Sequence, residues 1–590
     1  MLPWMTYDGM YDAALNQPEQ FWLEAAQRIT WKQAPVAACQ TRDDGWYDWF
    51  PDATLNTCYN AVDRHVEDGR GGQAALIWHS CATKEWQTVT YGDLRRRVAG
   101  FAGGLQALGV GKGDRVLIAM PTMVETAIAM LACARIGAVH VVVFAGYAGP
   151  ELARRIDDVG PKVIIIASCS FQGQTAIPLL PALNEALAKA AHRPRACIIA
   201  QRDACPAALM PVRDYDFHVM EHAAPVEPVM LRSDDPLYIL HTSGTTGNAK
   251  GIVRDNGGHA VALALSMELI YGCKPGDTFF TTSDLGWVVG HSYGVYAPLI
   301  SGCTSVIVEG GASASAIRML CHDHAVKCLF TTPTQMRLMR QESRHLSAAI
   351  LPALARIFVA GEYADPTLLD WARAYFRKPV VNHWWQTETG WSITAHFFGL
   401  PECEPTSLMN DIGRPAPGFR PAIVSSHPDE PCGEIVLSLP LPPGCLAGVW
   451  KDRAIHAPTA YLDDTGKFYR TFDEGMIDAT RAVHMLGRSD DVIKVAGRRI
   501  SGVQIEKIIA AHPAVYACAV VAIPDALRGQ RPVAYVVMNS DEDHKPSAEE
   551  LIAGVNAVLG RWVGLKEVRF VRHLPITVSG KITRKRLLVS

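Results

Sequence analysis

"YILHTSGTTGNAKG", residues 238–251, runs from an apolar, strand-like piece into six consecutive Thr, Ser and Gly residues, with Lys250 just beyond. Two readings of so bare a segment are open. It is an ordinary polar turn, or the backbone stays small there so that it can approach a ligand closely. Thr242, Ser243, Gly244, Thr245, Thr246 and Gly247 supply hydroxyl and N–H donors without bulk, and Lys250 adds a positive charge. Donors arranged in that way can wrap a polyphosphate. The spacing G-x-x-x-x-G-K-[ST] is absent, so this is not a Walker loop.

Working outward, the chain up to about residue 360 alternates short Val/Ile-rich runs with helical pieces. "RVLIAM", "KVIIIA", "TSVIVE" and "KCLFTT" read as strands, and "PELARRIDDV" reads as a helix. Such alternation predicts wound α/β units with parallel sheets. From about residue 410, "GEIVLSLPLPPG" and "GKFYRTFDEG" predict a β-rich subdomain of turns and short strands. A third texture starts near "GRSDDVIKVAGRRISGVQIEKIIAAHP" and continues through "YACAVVAI", "PVAYVVM", "SAEELIAGVNAVLGRWV" and "EVRFVRHL". It predicts a small α+β domain of about 100 residues. The charged, turn-like Gly487–Asp491 stretch between them reads as a hinge rather than a loose tether.

With 590 residues, two or more domains are expected. The composition, 49% hydrophobic and 19% charged with net charge −3, gives no general reason to expect nucleic acid or a membrane surface as partner. "VLIAMPTMVETAIAMLACARIGAVHVVVF" is broken by Pro121, Glu125 and Arg135, and so reads as strand, helix and strand rather than a membrane span. The N-terminal residues lack a basic start followed by an apolar run, so no signal peptide is read. The fifteen cysteines form no C-x-x-C pair and are expected to be reduced, in the cytoplasm.

Four more stretches follow the loop in order: "AGEYAD" (360–365), "NHWWQTETGW" (382–391), "YRTFDEG" (469–475) with "GRSDDVIKVAGRR" (487–499), and "TVSGKITRKRL" (577–587). Together with the loop they resemble the ATP-dependent, AMP-forming acyl-CoA synthetases of the adenylate-forming superfamily, over nearly the whole chain. The short-chain branch of acetyl-CoA and propionyl-CoA synthetases is the most similar. "SDLGWVVGHSYGVYAPL", "VRDNGGHAVALALSM" and "EQFWLEAAQRITW" look more like the propionate-activating members.

The resemblance implies the α/β adenylate-forming (ANL) fold. Its large N-terminal domain, residues 1–487, would combine wound α/β subdomains with a β-rich subdomain, and a small mobile α+β C-terminal domain, residues 488–590, would carry the catalytic lysine. It also implies the reaction: a short carboxylic acid attacks the α-phosphate of ATP, pyrophosphate leaves, and the acyl-adenylate is cut by the thiol of coenzyme A. Propionate is the expected acid and acetate a possible one. An adenylating ligase for a branched or hydroxy short acid and a non-catalytic ATP-binding relative are the alternatives. A small preference for one acid rests on one methylene, about 0.8 kcal/mol on full burial.

Roles implied by the resemblance fall on matching positions. The 242–250 loop would hold the β- and γ-phosphates, Thr387 would touch the α-phosphate, and Glu388 would ligate Mg²⁺, a hard cation that takes oxygen ligands. Gly361 and Glu362, with Asn382, His383, Trp384 and Gln386, would line the adenine and acyl-adenylate side. Asp473 would accept both ribose hydroxyls, although Phe472 stands where the family often has Gly. Arg488 would reach the ribose or phosphate, and Arg499 the phosphates, in a "GRR" that replaces the commoner Gly-His-Arg. Trp385 would close the acyl pocket, lined by Val288 and Val289. Lys581 would stabilise charge at the α-phosphate during adenylation, and its acetylation would remove that charge. The last 30 residues hold eight Lys/Arg against one acidic residue, which read by itself is a solvated basic tail. Turning about Asp490 would then bring Gly497 and Ala496 to the pantetheine tunnel, where a larger side chain would block passage. Relatives carry basic residues for the CoA nucleotide where this chain has Gln172 and Gln174.

Overall fold

The computed structural model describes residues 6–242, 250–343, 350–362, 364, 366–401, 411–425, 431–489, 492–495, 498–539, 545–575 and 582–588, with backbone alone at 492, 494, 498, 499 and 585. Two large twisted sheets make up most of the N-terminal part. In the first, nine strands run in the order 214–216, 196–200, 163–167, 115–119, 139–142, 236–241, 251–255, 448–451 and 454–456. Pairing is parallel as far as Pro236–His241 and antiparallel beyond it. The second sheet orders seven strands 380–382, 356–359, 326–331, 278–281, 304–309, 74–80 and 86–90, all parallel except the last.

The strands expected from the Val/Ile runs are present at Arg115–Ala119, Val163–Ala167, Thr304–Glu309 and Val326–Thr331, shared between the two sheets. Val163–Ala167 and Thr304–Glu309 are buried at every position. A parallel strand covered on both faces needs apolar side chains on both, which is why Val163–Ala167 does not alternate. The longest apolar stretch resolves into Arg115–Ala119, the helix Val124–Ile136 and Val139–Val142. That helix is buried all round, so it carries no polar face. It stops at Gly137, whose φ of +72° is easy only for glycine and where a Cβ would lie 2.6 Å from Leu231 Cδ2. The helix Gly149–Val159 instead buries one stripe, Leu152, Ala153, Ile156 and Val159.

A third, antiparallel sheet of Pro421–Val424, Gly433–Ser438, Phe468–Ile477 and Val483–Arg488 is the β-rich subdomain. The C-terminal sheet joins Arg498–Ser501, Val492–Val495, Gly529–Met538 and Val515–Asp525, with Val568–Phe570 added beside 529–538. The helices Gly502–Ala510 and Ala548–Leu559 pack on it around Ile493, Ile505, Val520 and Val555. This core is separate from the main N-terminal one. The two parts meet where Ser501 Oγ donates to the Leu486 carbonyl. No helix of the described residues is long and apolar enough to cross a membrane, and the described cysteines are free.

Candidate active site

Thr242, Gly361, Glu362 and Asn382 sit at or just past the carboxyl ends of the strands Pro236–His241, Arg356–Val359 and Val380–Asn382. Open α/β sheets place ligands at that edge. Thr242 N donates to Lys250 O at 2.9 Å, closing the base of the Thr/Ser/Gly loop. Ser243, Gly244, Thr245, Thr246 and Gly247 themselves lie outside the described residues, as do Asp490, Ala496, Gly497, Lys581 and the Arg499 side chain. Glu362 turns toward the helix Pro333–Glu342, accepting from Thr334 N at 3.2 Å and pairing with Arg337 at 3.2 Å. Its carboxylate is therefore occupied by a helix N-terminus and an arginine. Gly361 has φ +99°, and a Cβ there would meet only Thr332 Cγ2, at 4.0 Å.

The segment after Asn382 is built as one hydrogen-bonded turn. His383 is buried, with Nδ1 against Val359 O and Nε2 against Tyr271 OH, both at 3.0 Å. Burial pushes its imidazole down to about 3, so it is neutral and both nitrogens serve the scaffold. Trp384 Nε1 donates to Asp473 Oδ2 at 2.9 Å, and Gln386 Nε2 donates to the same oxygen at 2.7 Å. Gln386 Oε1 accepts from Tyr469 OH, so the amide is fixed on both sides. Trp385 points elsewhere: its indole meets Tyr293 edge-on at 5.5 Å and Phe330 at 6.2 Å. Val288 and Val289 belong to the same apolar cluster.

Glu388 accepts from Tyr461 OH at 2.9 Å through Oε1, and Lys250 Nζ stands 4.3 Å from the centre of the Tyr461 ring. Burial and the adjacent Glu388 carboxylate raise the Tyr461 phenol far above its usual range, so it stays a donor. Lys250 from the loop and Glu388 from the turn thus reach the same tyrosine. Among the described residues no group of three His, Cys, Asp or Glu side chains could hold a metal ion. A divalent cation here would take Glu388 and draw its other ligands from phosphates and water, the usual habit of Mg²⁺.

The direction of Glu388 is set from beneath by Arg254, a fully buried residue in the strand Gly251–Asp255. Its guanidinium donates to Thr387 O at 2.5 Å, Glu388 O at 3.1 Å, Gly444 O at 2.8 Å and Tyr238 OH at 3.3 Å. A buried charge has to be satisfied in this way. Gly390 makes room for it: φ is +74°, and a Cβ would lie 2.7 Å from Arg254 Cζ and collide with Gly444 O. Arg254 and Tyr461 were not among the residues expected from sequence. The available signal for Arg254 was an arginine inside an otherwise apolar strand; Tyr461 gave none.

Asp473 comes from the strand Phe468–Ile477, directly opposite Arg488. Against the neighbouring strand, Ile435 faces Asp473 while Val436 faces Arg470, so two residues bulge out between them. One is Phe472, with φ +56°. A non-glycine residue there costs about 1 kcal/mol or more, and the bulge re-aims the side chain that follows. Asp473 is 7% exposed. Burial raises its carboxyl, opposed by Arg488 at 3.4 Å and by the Gln386 and Trp384 donors. Arg488 also donates to Thr471 O at 3.2 Å. Gln172 and Gln174 are exposed, in and beside the hairpin of Cys169–Gln172 and Thr175–Pro178.

Three family models match the chain in order. They are the acetyl-coenzyme A synthetase N-terminus over residues 7–61, AMP-binding enzyme over 62–444 and the AMP-binding enzyme C-terminal domain over 504–581. The propionate–CoA ligase of Escherichia coli is 38% identical, covering 99% of this chain and 95% of that protein. The human mitochondrial acyl-CoA synthetase short-chain family member 3 is 40% identical, covering 98% of this chain and 87% of that protein. The crystal structure of a Brucella canis acyl-CoA synthetase superposes with a TM-score of 0.69 at 26% identity, covering 98% of both chains. The chain belongs to the AMP-binding enzyme family.

Proposed function

We propose that this AMP-binding enzyme joins a short-chain carboxylate, propionate before acetate, to coenzyme A in two steps, using ATP and releasing AMP and pyrophosphate. The observation that carries the reading is the single turn 384–388, which bonds Asp473 through Trp384 and Gln386 and ends at Glu388, held by Tyr461, whose ring Lys250 also meets. One rigid element thereby spans a ribose-sized acceptor at one end and a phosphate and cation region at the other.

In the first step a carboxylate oxygen attacks the α-phosphorus, and the bond to the bridging oxygen of pyrophosphate breaks. Asp473 accepts from the ribose and Arg488 steadies ribose or phosphate. Thr387 donates toward the α-phosphate, and residues 242–250 cradle the departing pyrophosphate. Glu388 would hold Mg²⁺, which neutralises phosphate charge when bound. Lys581 and Arg499 supply the remaining positive charge, in a domain of residues 488–590 that then turns about Asp490. In the second step the thiol sulfur, reaching the acyl carbon past Ala496 and Gly497, displaces AMP and loses its proton. Gly361, Asn382 and the Trp384 ring line the adenine side, and Trp385, Val288 and Val289 bound the acyl group. His383 supports that wall from behind rather than touching the nucleotide. A cytoplasmic setting and regulation by acetylation of Lys581 fit this chemistry.

The test is pyrophosphate release with ATP, Mg²⁺ and straight, branched and hydroxylated short acids, run on the parent and on Trp385→Gly. Propionate and acetate should lead for the parent, with AMP as the stoichiometric product. The variant should favour longer straight chains, with weaker use of propionate, because the indole is removed. ADP as product would overturn the two-step reading, and an unchanged chain-length profile would remove Trp385 from the pocket.

A further inference from the structure

Tyr293 lies in the wide-turned helical stretch Gly290–Tyr296, one turn beyond Val289. It is fully buried, whereas Trp385 is only partly so. The phenol ring meets the indole edge-on, 5.5 Å between centres and 85° between planes, a geometry that aromatic pairs favour. Phe330 at 6.2 Å and His383 at 6.4 Å stand farther from the indole and are tilted to it. Tyr293 is itself firmly held. Ser266 Oγ donates to Leu263 O at 2.9 Å, so its one hydrogen is already placed and the Tyr293 hydroxyl, 3.0 Å away, is the donor between them. The backbone is tied at the next residue, where Ser305 Oγ donates to Gly294 O at 2.7 Å. Tyr271 and Phe330 pack against the phenol ring at 5.0 and 5.7 Å.

We propose that Tyr293 is a positioning residue for Trp385 and thereby sets the length of acid that fits: its ring keeps the indole from retreating, so the acyl pocket ends where the indole stands. This rests on the reading of Trp385 as the wall of that pocket. Among the described residues Tyr293 is the ring nearest to the indole and meets it close to a right angle, so the indole cannot tilt inward without overlap. Its anchors belong to the helix Gly257–Leu269 and the strand Thr304–Glu309, two elements of the buried frame. Side chains in such close-packed surroundings transmit a displacement rather than absorb it. A residue that served stability alone would affect every acid alike. One that holds the wall changes the ratio between acids, because each added methylene needs space that the indole occupies.

The experiment measures kcat/KM for propionate, butyrate and pentanoate by pyrophosphate release, together with thermal midpoints, for Tyr293→Phe, Tyr293→Met and Tyr293→Leu, the last two also with Trp385→Gly. Tyr293→Leu should raise the butyrate-to-propionate ratio about tenfold, the size that one methylene makes in an apolar pocket. Tyr293→Met keeps most of the volume without the rigid edge. It should raise the ratio about threefold, and it carries the test if Tyr293→Leu does not fold. Tyr293→Phe loses the bond to Ser266 but keeps a ring hemmed by Tyr271 and Phe330, so its midpoint should fall while the ratio stays within about twofold. In the Trp385→Gly background, Tyr293→Met or Tyr293→Leu should change the ratio by less than about twofold, since the wall it positions is gone. A parent-like ratio in Tyr293→Met and in any folded Tyr293→Leu overturns the proposal and leaves Trp385 as the wall. So does a shift in Tyr293→Phe as large as theirs, or the same increment with and without Trp385. If Trp385→Gly itself keeps the parent's ratio, the wall reading falls and the proposal falls with it.

Discussion

Asp255 lies next to Arg254 and is 5% exposed, yet it forms no ion pair within 4 Å among the described residues. Burial pushes its carboxyl up to about 7; the His259 N–H and Arg254 oppose this, while Asp234 and Asp48 add repulsion. An ordinary Asp titrates near 3.9, so between about pH 4 and 7 the folded state binds more protons than the unfolded one. Stability from this group therefore falls as pH rises through that window and levels off above it. Asp255→Asn keeps an acceptor for the His259 N–H and removes the titration. Relative to the parent it should gain about 2 kcal/mol between pH 5.5 and 8.5, at about 1.4 kcal/mol per pH unit below the folded value. Thermal midpoints of both proteins at the two pH values check this; parallel shifts would refute it. Nothing in "VRDNGG" signals this residue's state, because the stretch does not say that the Asp is buried beside an arginine whose donors go to carbonyls. The same holds for Tyr461, whose reach to Glu388 depends on two distant segments meeting.

Local periodicity and turn chemistry made most elements legible. The run at 163–167 had to be a doubly covered strand because it lacks a polar side, and the stripe of Gly149–Val159 had to face a sheet. What periodicity could not supply was partnership, for instance that 163–167 and 304–309 belong to different sheets. The turn 386–391 shows how a legible motif conceals an unpredicted support. The spacing Gln-Thr-Glu-Thr-Gly pointed to the site, but the reason for its glycine is tertiary: Arg254 fills the space where a Cβ would stand. Gly390→Ala should accordingly cost about 3 kcal/mol or more, from the φ of +74° and the collision together. Because the shift is transmitted to Glu388 O through Arg254, the Mg²⁺ concentration for half-maximal pyrophosphate release should also rise. A variant that kept both the parent's urea midpoint and its Mg²⁺ dependence would show that the turn tolerates displacement.

At the scale of the whole molecule the difficulty is that two reactions share one acyl group. On the proposed reading Lys581 serves where pyrophosphate leaves, and a cation left there would obstruct the thiol. The architecture offers a division: the C-terminal sheet has its own core, and its described link to the N-terminal part runs through Ser501 and Leu486, beside Gly487 with φ +141°. A Cβ at Gly487 would come within 3.3 Å of Ser501 Oγ and 3.4 Å of Val503 Cγ2, so the joint is narrow. If residues 488–590 turn about Asp490 between the steps, each step should depend on a different face of that domain. Lys581→Ala should then fail to form acyl-adenylate from acid and ATP, yet still convert supplied propionyl-AMP and coenzyme A to the thioester. Gly497→Leu should release pyrophosphate and accumulate acyl-adenylate while forming little thioester, because a side chain would occupy the pantetheine path. Acetylating Lys581 should reproduce the first pattern, since it removes the same charge. A loss of about a hundredfold or more confined to one half-reaction in each variant is the expected size, given what a single positioned charge contributes to phosphoryl chemistry. Equal damage to both half-reactions in both variants would mean that one fixed arrangement serves the whole cycle, and that the narrow joint at Gly487 does not move.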